Sequence, residues 1–204
     1  MSRGDPSRPV VALTFDAGSD TGFTALILDT LAAESVPATF GLTGAWAEAN
    51  PDLVRRIGAA RHQLVNHTWD HRSFTGVSSR PAVRSAAERR DQLDRTEALI
   101  ARLAGRTTKP WFRPPYGDYD ASVNADVGAA GYRYNVLWTV DSLGWQGLSP
   151  SAITARCLER AVNGAIYLFH VGQASQDAAA LPGLITGLRR AGYSFATVAD
   201  VLAS

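Results

Sequence analysis

Short apolar runs alternate with longer amphipathic stretches from one end of the chain to the other, and this order constrains the fold more than any other feature. Repeated β-α units demand a parallel sheet with helices packed on it, because each crossover must cover the face of the sheet it leaves. Strands are predicted at 10–15 (VVALTF), 38–42 (ATFGL), 63–66 (QLVN), 111–113 (WFR), 133–139 (RYNVLWT), 165–169 (AIYLF) and 193–196 (YSFA). Helices are predicted near 22–34, 51–60, 82–104, 120–130, 150–161, 178–190 and 197–203. Within 82–104, Leu93, Glu97, Ile100 and Ala104 keep a 3.6-residue rhythm with one polar member. Asn50-Pro51 and Ser149-Pro150 read as a cap followed by a first-turn proline. The expected class is α/β, a single barrel-like domain with about seven parallel strands.

A length of 204 residues suits one such domain, and no repeat, low-complexity tract or linker divides it. The formal charge of +1 gives no electrostatic case for a nucleic-acid partner. The single cysteine, Cys157, excludes an internal disulfide and a cysteine-based zinc site, and is expected to pack as a small core residue. No stretch reaches membrane-spanning length, and "MSRGDPSRP" lacks the apolar segment of a signal peptide. Arg89-Arg90 and Arg189-Arg190 read as solvated helix faces, and Trp46, Trp69, Trp111 and Trp138 as core or loop packing, with Trp69, between His67 and His71, also placed to lie near a substrate.

The reactive side chains fall at the C-terminal ends of the predicted strands. Asp16 follows the first, His67 the third, Arg113 closes the fourth, Asp141 follows the fifth and His170 the sixth. In a parallel barrel these ends meet on one face, where active sites are built. "NHTWDH" places His67 and His71 four residues apart, so that on a helical turn both imidazoles would project to one side and reach one divalent metal. "WFRPPYGDYD" stiffens the backbone with Pro114 and Pro115 directly after Arg113, whose flanking aromatics predict partial burial against a carboxylate. In "ALTFDAGSD", Asp16 ends an apolar strand, and Gly18 and Ser19 would let the chain bend towards a second acid, Asp20.

TFDAG, HTWDH, RPPYG, DSLGW and LFH, in that order, resemble the five motifs of the polysaccharide deacetylases, carbohydrate esterase family 4. The likeness runs from about residue 10 to 202, and residues 8–204 are taken as the deacetylase-like domain. It implies a distorted (β/α) barrel that removes acetyl groups from N-acetylglucosamine polymers or acetylated xylan with a divalent metal, commonly zinc, with cobalt and nickel as alternatives. It also implies a glycan as partner, a monomer without membrane insertion, and a secreted or envelope-associated location. Residue by residue, Asp16 matches the catalytic base, Arg113 the arginine that orients it, and His67 and His71 the metal-binding histidines. Tyr116 matches the residue whose backbone N–H holds the oxyanion. Trp145 and Leu168 match walls around the acetyl methyl, with Pro115 beside them, and His170 matches the general acid.

Two positions depart from the pattern. Ala17 stands where the family carries its third metal ligand. Asp20 could replace that ligand, the two histidines could hold the metal with waters, or the metal site could be defunct. Gly144 stands where an acid usually precedes the tryptophan and tunes the histidine acid, leaving Asp141 as the acid of that motif. The leading expectation is a metal-dependent deacetylase of peptidoglycan or chitin-type glycans. An acetylxylan esterase and a non-catalytic glycan-binding domain are the alternatives.

Overall fold

In the computed structural model, residues 1–18, 20–79 and 83–203 are described. The bend assigned to Ser19 and the start of the predicted helix at Ala82 lie outside them. In chain order the elements are β1 (Val10–Ala17), α1 (Thr24–Ala33), β2 (Thr39–Leu42), α2 (Gly44–Ala49), α3 (Pro51–Ala59), β3 (Gln63–Asn66), α4 (Ala86–Ala104) and β4 (Trp111–Phe112). They continue with α5 (Ala121–Ala129), β5 (Tyr134–Asn135), β6 (Val140–Asp141), α6 (Pro150–Glu159), β7 (Ile166–His170), α7 (Asp177–Arg190), β8 (Ser194–Phe195) and α8 (Val198–Leu202).

The strands form one curled sheet in the order β5-β4-β3-β2-β1-β7-β6, with β8 added on the start of β1. All the strand pairings are parallel. The result is a half-barrel with helices around it, an α/β fold of the expected class.

The predicted strand 133–139 is instead two short strands, β5 and β6. The interruption falls where the chain passes from one edge of the sheet, where β5 pairs with β4, to the other, where β6 pairs with β7. The carbonyls of Val136 and Leu137 accept hydrogen bonds from the Arg113 guanidinium, so this stretch supplies the barrel interior with acceptors. Helix α2 was not expected; Thr43 starts it by accepting from the Trp46 N–H. The Ser149 cap holds, accepting from the Ala152 N–H. Asn50 does not cap α3; its amide donates to the Trp46 carbonyl and its Oδ1 accepts from Thr21. Helix α4 begins with a capping box between Ser85 and Glu88 and ends at a left-handed Gly105.

β1 shows how the pleat sorts the core. Val11, Leu13, Phe15 and Ala17 belong to the large apolar layer between sheet and helices, with Ile27, Leu31, Leu181 and Leu184. Its alternate residues face the barrel interior. Ala12 packs there with Val65, Val136 and Ile166, and Val198 and Val201 of α8 close that end. Above Ala12 come Thr14 and then Asp16, so the interior becomes polar towards the C-terminal ends of the strands. A third cluster joins α4 to α5 through Phe74, Leu93, Phe112, Val123 and Val127. Arg89 belongs to that joint rather than to a solvated face: it is buried and bonded to Asp126 and Ser122, whereas Arg90 is exposed. Cys157 is buried in the main layer, as expected.

His62 lies between these layers, its Nδ1 accepting from the Ala38 N–H at 3.2 Å. Burial, helped by the nearby Arg106, pushes its pKa down to about 4. The unfolded chain therefore takes up a proton at a pH where the folded chain refuses it, and stability falls as pH drops from about 6.5 towards about 4. We expect His62→Asn, which keeps an acceptor for Ala38, to flatten that slope. Urea midpoints compared at about pH 7 and about pH 4.5 read it directly; an unchanged slope would assign the acid sensitivity elsewhere.

Candidate active site

The polar end of the barrel interior is organised by Arg113. It follows β4, is 1% exposed, and its Nη1 donates to both Asp16 Oδ1 (2.7 Å) and Thr14 Oγ1 (2.9 Å). Its Nε donates to the Val136 carbonyl at 2.9 Å. Asp16 is itself buried, the penultimate residue of β1 rather than the residue after it. Burial alone would raise its pKa, yet the Arg113 guanidinium, through its charge and its hydrogen bond, leads the neighbours that outweigh that and hold the carboxyl below its ordinary value.

Neighbouring strands were also built around this carboxylate. Gly41 of β2 is the register partner of Asp16, and a Cβ added there would lie 2.4 Å from Asp16 Oδ1. On the other side the partner is His170, the last residue of β7. Parallel partners in register present their side chains to the same face, so Asp16 and His170 stand side by side at the barrel mouth.

His67 follows β3 and is buried; its Nδ1 lies 2.8 Å from the Arg113 carbonyl oxygen. A carbonyl only accepts, so Nδ1 carries the proton and the Nε2 lone pair is left free. That Nε2 is buried without a hydrogen-bond partner and lies 3.4 Å from Asp16 Oδ2. Burial lowers the His67 pKa despite the Asp16 carboxylate. Two lone pairs thus face each other in a buried place, an arrangement that a cation or a shared proton satisfies. His71 comes up edge-on, its ring centre 4.7 Å from that of His67 and 4.8 Å from that of Tyr116. Burial and the neighbouring His67 push its pKa down to about 3, which keeps it a neutral donor of lone pairs.

The two histidines meet as expected, although not on a helical turn. They sit on a loop in which Thr68 and His71 have φ of 65° and 60°, and Thr68 Oγ1 accepts from the His71 N–H. These residues fit half of a metal centre. Among the described residues, no group of three or more His, Cys, Asp or Glu side chains is placed to hold an ion. Ala17 is fully buried in the helix-facing apolar layer. The Asp20 carboxylate is exposed and accepts from the Gln173 N–H at 2.8 Å, while its carbonyl accepts from Trp46 Nε1.

A cleft of about 400 Å³ opens over the group, reaching Asp16, His67, His71 and His170. Its walls are Tyr116, Trp138, Trp145 and Leu168, with Asp141 and Pro114 on the rim. Pro114 thus takes the place expected of Pro115, which is buried in the turn beneath. Trp138 is a wall residue that was read as packing. Tyr116 has φ of 61°, and among the described residues its N–H has no protein acceptor. Asp141 is committed to its own loop: Oδ1 accepts from the Leu143 N–H and Oδ2 lies 3.4 Å from Trp145 Nε1. The carboxylate bonded to the His170 backbone comes from α7 instead, since Asp177 Oδ2 accepts the His170 N–H at 2.8 Å. Asp177 carries no motif signal and lies seven residues past its partner.

Residues 3–135 match the family model described as polysaccharide deacetylase. The chain is 35% identical to the peptidoglycan-N-acetylglucosamine deacetylase of Bacillus cereus, over 96% of this chain and 69% of that protein. It is 30% identical to the uncharacterized protein YlxY of Bacillus subtilis over 98% of its length, and spans 59% of that relative. Among solved structures it resembles wild-type BA3943 of Bacillus anthracis, described as a CE4 family pseudoenzyme, with a TM-score of 0.89 and 28% identity over 100% of this chain and 68% of that one. A mutant of that protein is described as having restored enzymatic activity.

The packing around Asp16 predicts two stability effects. Arg113→Leu leaves a buried carboxylate unpaired and should cost roughly 3–5 kcal/mol. Gly41→Ala overpacks the same carboxylate and should cost roughly 1–3 kcal/mol. Urea unfolding measures both; a Gly41→Ala protein as stable as wild type would mean that Asp16 is not held against β2.

Proposed function

Because the chain belongs to the polysaccharide deacetylase family, carbohydrate esterase family 4, we propose that it hydrolyses acetyl groups from an N-acetylated glycan of the peptidoglycan or chitin type. The observation that carries this reading is the pairing of Asp16 and His170 in register across β1 and β7, with Arg113 holding Asp16 from below. A binding module has no need of a buried, ionised base beside a histidine.

Each residue has a task in that reaction. Asp16, kept ionised by Arg113, takes the proton of the attacking water. The Tyr116 N–H is directed at the oxygen on which charge develops. Trp138, Trp145 and Leu168 surround the acetyl methyl with apolar surface, and the Asp141 carboxylate fixes the Trp145 indole. His170 delivers a proton to the departing amine. A divalent ion held by His67 Nε2 and by His71, zinc first and cobalt or nickel otherwise, would polarise the acetyl carbonyl and lower the pKa of the water. Asp20 serves as its third ligand only by leaving the Gln173 N–H. A peptidoglycan substrate also sets the place of action: a secreted or envelope-associated enzyme, as the names of the relatives suggest.

Two observations favour a second reading, a glycan-binding domain without turnover: Ala17 supplies no ligand, and a similar fold is that of a pseudoenzyme. Acetate release separates the two. With an N-acetylglucosamine oligomer or peptidoglycan as substrate, Asp16→Asn and His170→Ala should each lose roughly 10²–10⁴-fold in rate. Chelator should suppress the wild-type rate, and added zinc, cobalt or nickel should recover it. Acetylated xylan serves as the ester control. If no metal yields acetate while the glycan still binds, the binding reading replaces the catalytic one.

A further inference from the structure

Gly144 and Asp177 are far apart in sequence and share one place in the molecule. A Cβ added to Gly144 would lie 2.3 Å from Asp177 Oδ1, 2.7 Å from its Cγ and 2.7 Å from Ser175 Oγ. None of these atoms is free to retreat. Asp177 is 1% exposed, and its Oδ2 accepts both the His170 N–H and the Ser175 hydroxyl at 2.8 Å. The space of a side chain at 144 is therefore occupied by a carboxylate delivered from the first turn of α7.

We propose that Asp177 is the positioning residue of His170, a buried carboxylate that takes the space opened by the glycine at 144. It is bonded to the backbone of the very residue it would serve, while the two side chains themselves make no hydrogen bond or ion pair with each other. It also has the spare valence: Asp177 Oδ1 is buried without a hydrogen-bond partner, and so is His170 Nδ1. A histidine that gives up a proton at one ring nitrogen needs its imidazolium stabilised at the other side, and a fixed neighbouring carboxylate does that. Burial raises the Asp177 pKa, while the hydrogen bonds from the His170 backbone and from the Ser175 and Ser142 side chains, and last the His170 charge, oppose the rise. Asp141, the acid nearer in sequence, is engaged with Leu143 and Trp145.

This rests on the deacetylase reading for the role of His170, and the test keeps the two apart. Four proteins are compared: wild type, Asp177→Asn, Asp177→Ala, and the double variant Gly144→Asp with Asp177→Ala. Asp177→Asn keeps an acceptor for the His170 N–H and drops the charge, so a purely structural role would leave its rate intact. We expect it to lose at least roughly 10-fold in kcat with little change in KM, and Asp177→Ala to lose roughly 10²-fold. Returning an acid from position 144 should restore much of what Asp177→Ala loses, whereas Gly144→Asp alone should unfold at lower urea. Equal kcat in wild type and Asp177→Asn, or no recovery in a folded double variant, overturns the proposal. A wild type that releases no acetate overturns the functional reading alone. The imidazole ¹⁵N signals of His170, assigned with His170→Gln, must then still move in Asp177→Ala and return in the double variant, or this proposal falls too.

Discussion

The guanidinium of Arg113 inside the barrel is the interaction on which the rest of the site depends. A cation this deep is tolerable only when its donors are all spoken for, since an unpaired buried charge costs several kcal/mol. Here Asp16 and Thr14 of β1 and the carbonyls of Val136 and Leu137 accept from it. The main chain of the same residue does a second task, because the Arg113 carbonyl sets the tautomer of His67. One residue thus holds the carboxylate through its side chain and the histidine through its backbone. Carboxylate and imidazole cannot be misplaced independently of each other.

Ion pairs of this sort need not stabilise a fold on balance. What Arg113 contributes is geometry, and the neighbouring glycine shows the cost of it. Gly41 in β2 gives up a side chain and some strand propensity so that Asp16 can lie across the register position beside it. Gly144 does likewise for Asp177. In both places a glycine serves a carboxylate, through the volume it leaves open rather than through its backbone freedom.

That pattern explains what could be read from the sequence. The β-α order was visible because burial imposes period and length locally, and the site residues were visible because parallel strands must point their C-terminal ends one way. Asp16, His67, Arg113, Asp141 and His170 accordingly converge at the barrel mouth. Gly41 and Gly144 were illegible, since a glycine's purpose there is another residue's side chain. Asp177 was hidden because nothing near it in sequence marks it. Arg89 was misread for a similar reason: its partners Ser122 and Asp126 lie on α5, a packing relation that helical periodicity does not contain. The split of 133–139 goes with the gap in the half-barrel, since β5 and β6 lie at opposite edges of the sheet.

The two departures from the family pattern are therefore not alike. At position 144 the absent side chain is matched by a carboxylate in the same space, which a hydrogen bond ties to the His170 backbone. At position 17 the alanine methyl is packed with Phe15 and Leu42, and the nearest acid along the chain is turned to the Gln173 amide. Asp16 and His170 thus each keep a bonded partner, while the side chains that would hold an ion in the proposed reaction are two imidazoles. Two neutral ligands hold a divalent cation less tightly than two with a carboxylate, because the charge neutralisation is missing. On the proposed reading, the acid-base pair is therefore the part of the site that this chain's own side chains hold most firmly, and the ion the part they hold least.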